Sequence, residues 1–164
     1  MISEWQFCPR CADRLEAAEV AGRPRLTCRS SCGFVHWDNP APVLAALVDY
    51  QGYILLARNR AWAPGAFGLI TGFLERNEEP TDGVAREVNE ELGLDTTAVS
   101  LIGVYSFARR HEVILAYHVV AHGEIILNEE LAEYRLIPPG KLKAWDFGTG
   151  LAVRDWLARR AESA

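Results

Sequence analysis

No long apolar run exists in this sequence. The longest, Ala41 to Val48, is interrupted by Pro42 and falls far short of the roughly 18 residues of a membrane-spanning helix. There is no basic excess either: 17 Lys and Arg stand against 22 Asp and Glu, a net charge of −5. A dedicated nucleic-acid binder shows the opposite balance, so a nucleic-acid partner is not expected. The opening residues MISEWQFCPRC lack the basic-then-apolar pattern of a signal peptide, and a cytoplasmic setting without membrane contact is expected. Repeats and low-complexity tracts are absent. With 164 residues, 49% apolar and 24% charged, the composition excludes disordered and fibrous classes. It fits one domain, or one domain with a small module.

Cysteine is missing beyond residue 32. All four cysteines fall in C-x2-C-x16-C-x3-C, at Cys8, Cys11, Cys28 and Cys32. Two short-spaced pairs, each on its own turn, supply the four soft ligands of a closed structural zinc site. The surrounding segment has too few apolar residues for a core of its own, so a metal would hold it together. Free thiols or disulfides are the alternative. Residues 1–38 therefore read as a zinc-ribbon module, residues 39–164 as a second domain, and WDNPAP at 37–42 as a linker.

Beyond the linker the pattern is strand-rich α/β. Val43–Val48 and Tyr53–Ala57 are strand candidates joined by a turn at Gln51-Gly52. Ser100–Phe107 and Val113–Ala121 are two further β-rich stretches. Thr81-Asp82 starts a helix whose stripe is Val84, Val88 and Leu92, and Gly93 ends it. A second helix spans about residues 149–161, with Val153, Trp156 and Leu157 inward.

The first helix carries Glu87, Glu90 and Glu91 at i, i+3 and i+4, one face roughly a third of a turn from the stripe. Three carboxylates so close repel one another, and nothing in helix propensity calls for them. A hard divalent cation, which prefers oxygen ligands, removes the repulsion. Arg86 is placed to pair with a loop carboxylate such as Glu78.

The segment Gly72–Leu94 resembles the Nudix box, G-x5-E-x7-R-E-U-x-E-E-x-G-U with U a bulky apolar residue. Gly72, Glu78, Arg86, Glu87, Val88, Glu90, Glu91, Gly93 and Leu94 fill every fixed position. A chance match in a chain this long is on the order of 10⁻⁷. The resemblance implies an α/β/α sandwich around a mixed sheet. It also implies Mg²⁺- or Mn²⁺-dependent hydrolysis of a nucleoside diphosphate linked to another moiety, and a homodimer. Glu87, Glu90 and Glu91 would be metal ligands, with the Thr71 carbonyl adding an oxygen. Glu78 and Arg86 would fix loop and helix, and Glu75 would line the site.

In this family the base that takes the water proton is a box glutamate or one from a later loop. Here the later candidates are Glu112, Glu129, Glu130 and Glu133, with Glu130 preferred. Arg58, Phe67 and Tyr105 are the substrate-contact candidates. A zinc ribbon ahead of a Nudix domain resembles the NADH pyrophosphatase group. That group carries an SQPWPFP-like stretch, whereas residues 103–117 read GVYSFARRHEVILAY and share only Ser106. The departure does not single out NADH, and the expected substrate class is a nucleoside diphosphate derivative of dinucleotide or nucleotide-sugar type, such as NADH, FAD or ADP-ribose. Decapping of NAD- or FAD-capped RNA, and a non-catalytic nucleotide-binding regulator, are the alternatives.

Overall fold

The computed structural model describes residues 5–162, and the chain divides after Asn39 into two units. The first holds three short antiparallel strands, β1 (Leu15–Val20), β2 (Arg23–Cys28) and β3 (Val35–His36), in that spatial order. Its fully buried apolar residues are Cys8 and Cys28.

The second unit is a six-stranded mixed sheet between two helices. Its elements are β4 (Ala41–Tyr50), β5 (Tyr53–Asn59), β6 (Ile70–Phe73), α1 (Pro80–Leu92), β7 (Asp95–Phe107), β8 (Glu112–His122), β9 (Leu131–Ile137) and α2 (Gly150–Glu162). The path is β7-β8-β4-β5-β9. β8 runs parallel along the whole of β4. The other edge of β4 is shared: β6 pairs with Val43–Ala46, and β5 with Val48–Tyr50. Gln51 (φ 53°) and Gly52 (φ 82°) are both left-handed, the two-residue hairpin geometry that matches strand twist.

Strand alternation divides the core. Leu44, Ala46 and Val48 pack with Val84, Val88 and Leu92 of α1, while Val43, Ala45 and Leu47 pack with Ala152 and Val153 of α2. A strand buried on both faces reads as a continuous apolar run, which is what residues 43–48 are. Trp156 and Leu157 are half-buried against the α2-side cluster.

The linker expected at 37–42 ends early, because Ala41 and Pro42 already belong to β4. A proline is tolerated at a strand start, where its missing N–H costs no ladder bond, and its carbonyl accepts from the Leu74 N–H at 3.2 Å.

Candidate functional site

Pro80 at the first turn starts α1, and Gly93 ends it at φ 67°, with its N–H donated to the Asn89 carbonyl. The glutamates between do not share one environment. At about 100° per residue, Glu91 lies about 60° from the centre of the apolar stripe, Glu87 about 100° and Glu90 about 160°. Glu91 is accordingly 9% exposed, the Glu87 side chain 12% and the Glu90 side chain 56%. The expectation of one face about a third of a turn from the stripe is thus corrected for Glu90, which points largely to solvent.

Arg86 stands at the centre of the box. Its Nε and Nη2 donate to the two oxygens of Glu78, at 2.7 and 3.1 Å. Nη1 donates to Glu87 (2.7 Å) and Glu90 (2.9 Å), and Nη2 also reaches the Phe73 carbonyl at 3.2 Å. Glu78 accepts in addition from the Glu75 N–H at 3.0 Å. The Arg86 hydrogen bonds, with that of Glu75, hold the Glu78 carboxyl below the usual carboxylate range. One guanidinium thus ties the loop to the helix, a role its fixed fork suits and a lysine does not.

Glu91 has no such support. Burial, then the charges of Glu87, Glu130 and Glu90, pushes its carboxyl up to about 8. The residue sits where two clefts meet. The larger is lined by Thr71, Gly72, Phe73, Glu75, Arg86, Glu87, Glu90, Glu91, Asn128 and Glu130. The smaller holds Asn59 and Trp62, and shares Thr71, Glu91 and Glu130 with the first. The Asn128 side-chain oxygen accepts from the N–H groups of Glu130 and Leu131, and the Asn128 N–H donates to the Glu91 carbonyl. That turn fixes Glu130 beside the helix.

In the first unit, the sulfurs of Cys8, Cys11, Cys28 and Cys32 all lie within 4.8 Å of one another. Cys8 Sγ is 3.5 Å from Cys32 Sγ, and Cys11 Sγ is 3.3 Å from Cys28 Sγ. These are unbonded thiols. Ligands about 2.3 Å from a tetrahedral zinc stand about 3.8 Å apart, close to this spacing. The Ser30 hydroxyl, first among several contacts, draws the Cys28 thiol down to about 6, toward the thiolate that binds metal.

A family model for the NUDIX domain matches residues 38–156. The chain belongs to the Nudix family. Among its relatives is the NAD-capped RNA hydrolase NudC of Stutzerimonas stutzeri (strain A1501), 31% identical over 97% of this chain and 58% of that protein. The protein of the same name from Pseudomonas aeruginosa (strain LESB58) is 30% identical over 78% of this chain and 45% of its own length. This Nudix chain thus spans about half the length of these relatives. The crystal structure of a NUDIX hydrolase from Nitrosomonas europaea superposes with a TM-score of 0.79 at 25% identity, covering 96% of this chain and 91% of that one. An ADP-ribose pyrophosphatase from Streptococcus suis shares the fold, with a TM-score of 0.61 at 20% identity over 74% and 92%. The α/β/α sandwich with its mixed sheet is the Nudix fold.

The remaining candidates of this Nudix chain separate by strand face. Of the four late glutamates, Glu130 alone lines the clefts described. Glu133 pairs with Arg58 at 2.7 Å and Glu112 with Arg110 at 3.1 Å, while the Glu129 carbonyl accepts from Arg60. Arg58, Phe67 and Tyr105 are not brought to the carboxylates. Phe67 and Tyr105 pack on the α2 side of the sheet, and Arg135 covers the Phe67 ring at 4.0 Å. The Tyr105 hydroxyl donates to Asp155 at 2.9 Å, and burial followed by that contact pushes it up to about 12. On β5, Leu55 and Ala57 face α1, so Arg58 faces the other way.

Sequence reasoning missed Asn128, Asn59, Trp62 and Gly83. A β-carbon on Gly83 would come within 2.6 Å of both Glu78 and Leu44. Its position as a glycine inside a helix was the available signal. Among the described residues, no helix is long and apolar enough to cross a membrane.

Proposed function

We propose that this chain is a Mg²⁺- or Mn²⁺-dependent pyrophosphohydrolase that cleaves the diphosphate link of a dinucleotide or nucleotide-sugar such as NADH, FAD or ADP-ribose. The observation that carries this reading is the meeting of Thr71, Glu91 and Glu130 in the wall common to two clefts, with Glu87 and Glu90 beside them.

The donor set fits a hard cation. Three carboxylates supply oxygen, and so would the Thr71 carbonyl at the cleft wall. Glu91 is buried beside other carboxylates, and the influences on its carboxyl are desolvation and repulsion alone, the situation a cation relieves. Bound there by Glu87, Glu90 and Glu91, the metal would neutralise phosphate charge and acidify water. Glu130 takes the proton as the water oxygen attacks one phosphorus. The bridging P–O bond breaks, its electron pair stays with the leaving phosphate, and two phosphomonoesters result. Arg86 and Glu78 hold the loop–helix geometry throughout.

The same chemistry on NAD joined to RNA is the second reading, favoured by the likeness to the NAD-capped RNA hydrolases above. All box carboxylates are present, which speaks against a regulator that binds nucleotide without turning it over. Residues 1–38 form a zinc-ribbon module under this reading, and residues 39–164 the hydrolase domain. The test is a panel of NADH, FAD, ADP-ribose and NAD-capped RNA with Mg²⁺ or Mn²⁺, read by mononucleotide release. Turnover of none, beside tight nucleotide binding, would favour the regulator.

A further inference from the structure

Trp62 shares the smaller cleft with Glu91 and Glu130, yet its side is 40% open to solvent. An indole left open at a polar cleft loses the burial that normally stabilises a large aromatic. Its loop is nevertheless firmly held. The Trp62 N–H donates to the Asn59 carbonyl at 2.9 Å, and the Asn59 side chain accepts from the Ala61 N–H. Arg60 donates from its main chain to the Glu130 carbonyl and from its side chain to that of Glu129, both at 2.8 Å. The loop carrying the indole is therefore bound to the segment carrying Glu130. Gly68, itself clamped to Ala57 by two main-chain bonds, seats the ring: a β-carbon there would lie 3.1 Å from its edge.

An aromatic ring held in advance, in the wall of the cleft that Thr71, Glu91 and Glu130 also line, is the arrangement a nucleobase recognises. We infer that Trp62 is the platform on which a base of the substrate stacks, and so a specificity residue of the hydrolysis proposed above. The inference rests on that reading only for the identity of the reaction. A purine monophosphate, one of the two products, should occupy the same platform.

Two measurements test it. With NADH and Mg²⁺, W62A should raise KM about ten-fold while kcat stays within about two-fold, because stacking contributes on the order of 1–3 kcal/mol per base. W62F, which keeps a ring, should restore KM. Titration with AMP should quench tryptophan emission in the wild type, and W62F should lose most of that quench. An unchanged KM in W62A, a loss confined to kcat, or an equal quench in W62F would overturn the assignment. Should the wild type turn over nothing, the hydrolase reading fails, and the AMP titration still decides the role of Trp62.

Discussion

The Glu87 carboxylate occupies the space that a β-carbon on residue 72 would fill; its Cδ and both oxygens lie closer to that point than any real carbon contact. Gly72 of β6 pairs with Leu44 of β4 and Glu87 projects from α1, so strand and helix meet at this point. The glycine is thus required by side-chain space, and its backbone shows no positive φ.

G72A should displace the carboxylate and lower kcat by about 100-fold, the scale of an ångström-sized misplacement in a catalytic site. The overpacking should also cost about 1–3 kcal/mol of stability. In the double variant G72A/E87A the clash is gone, and the melting temperature should recover relative to G72A alone. Additive losses would mean that the two residues do not interact.

Under the proposed function, Glu91 is expected to set the pH dependence of metal binding. Its carboxyl is pushed up to about 8, whereas a bound cation needs it ionised. Mg²⁺ or Mn²⁺ affinity should therefore rise with pH up to about 8 and then level, with proton uptake by the buffer measurable by calorimetry below that point. The stability sign follows: an acid whose folded value is raised contributes most below its ordinary range, and that contribution is lost as pH rises through about 8. The metal-free protein should thus lose stability there, and E91Q should remove both effects.

R86K should break the fork to Glu78 and the bonds to Glu87 and Glu90. The melting temperature should fall by several degrees. A carboxylate held low stabilises above its unfolded value and ceases to do so as pH falls. Glu78 loses that support in R86K, so the acid-unfolding midpoint should move to higher pH. An unchanged midpoint would show that the pair contributes nothing to the folded state.

Glu130 should behave unlike its neighbours. E130Q is expected to lower kcat by about 10²- to 10⁴-fold, while E112Q and E133Q, whose carboxylates pair with Arg110 and Arg58, should stay close to wild type. A mild E130Q beside a severe E133Q would reverse the assignment.

The four cysteine sulfurs predict about one zinc per chain by elemental analysis, lost in C8S or C28S. Zinc well below one per chain in the wild type would refute the ribbon.

What was legible in the sequence was whatever had local punctuation. Gly93 ends α1 as expected, Gln51-Gly52 marks the hairpin, and the apolar run 43–48 reads as a strand; the helix itself begins at Pro80, one residue ahead of the expected Thr81-Asp82 start. β9 was not legible as a strand, since of its seven residues only Leu131 is fully buried and Glu133 and Arg135 interrupt the pattern. Site membership failed where it depended on parity. Arg58 and Asn59 are adjacent, yet Asn59 lines a cleft and Arg58 pairs with Glu133. β5 is buried on both faces from Ile54 to Ala57, so its sequence pattern does not say which parity meets α1. Trp62 lies on a loop with no periodicity, so nothing in its spacing marks it.

In the proposed reaction the α1 carboxylates hold the cation for diphosphate hydrolysis. This role is tested most directly by mononucleotide release from NADH, FAD and ADP-ribose with Mg²⁺ or Mn²⁺, comparing the wild type with E90Q and E91Q. Metal-dependent release by the wild type is expected, with a fall of at least about 100-fold in both variants and circular dichroism unchanged. Near-normal turnover by both variants would contradict it.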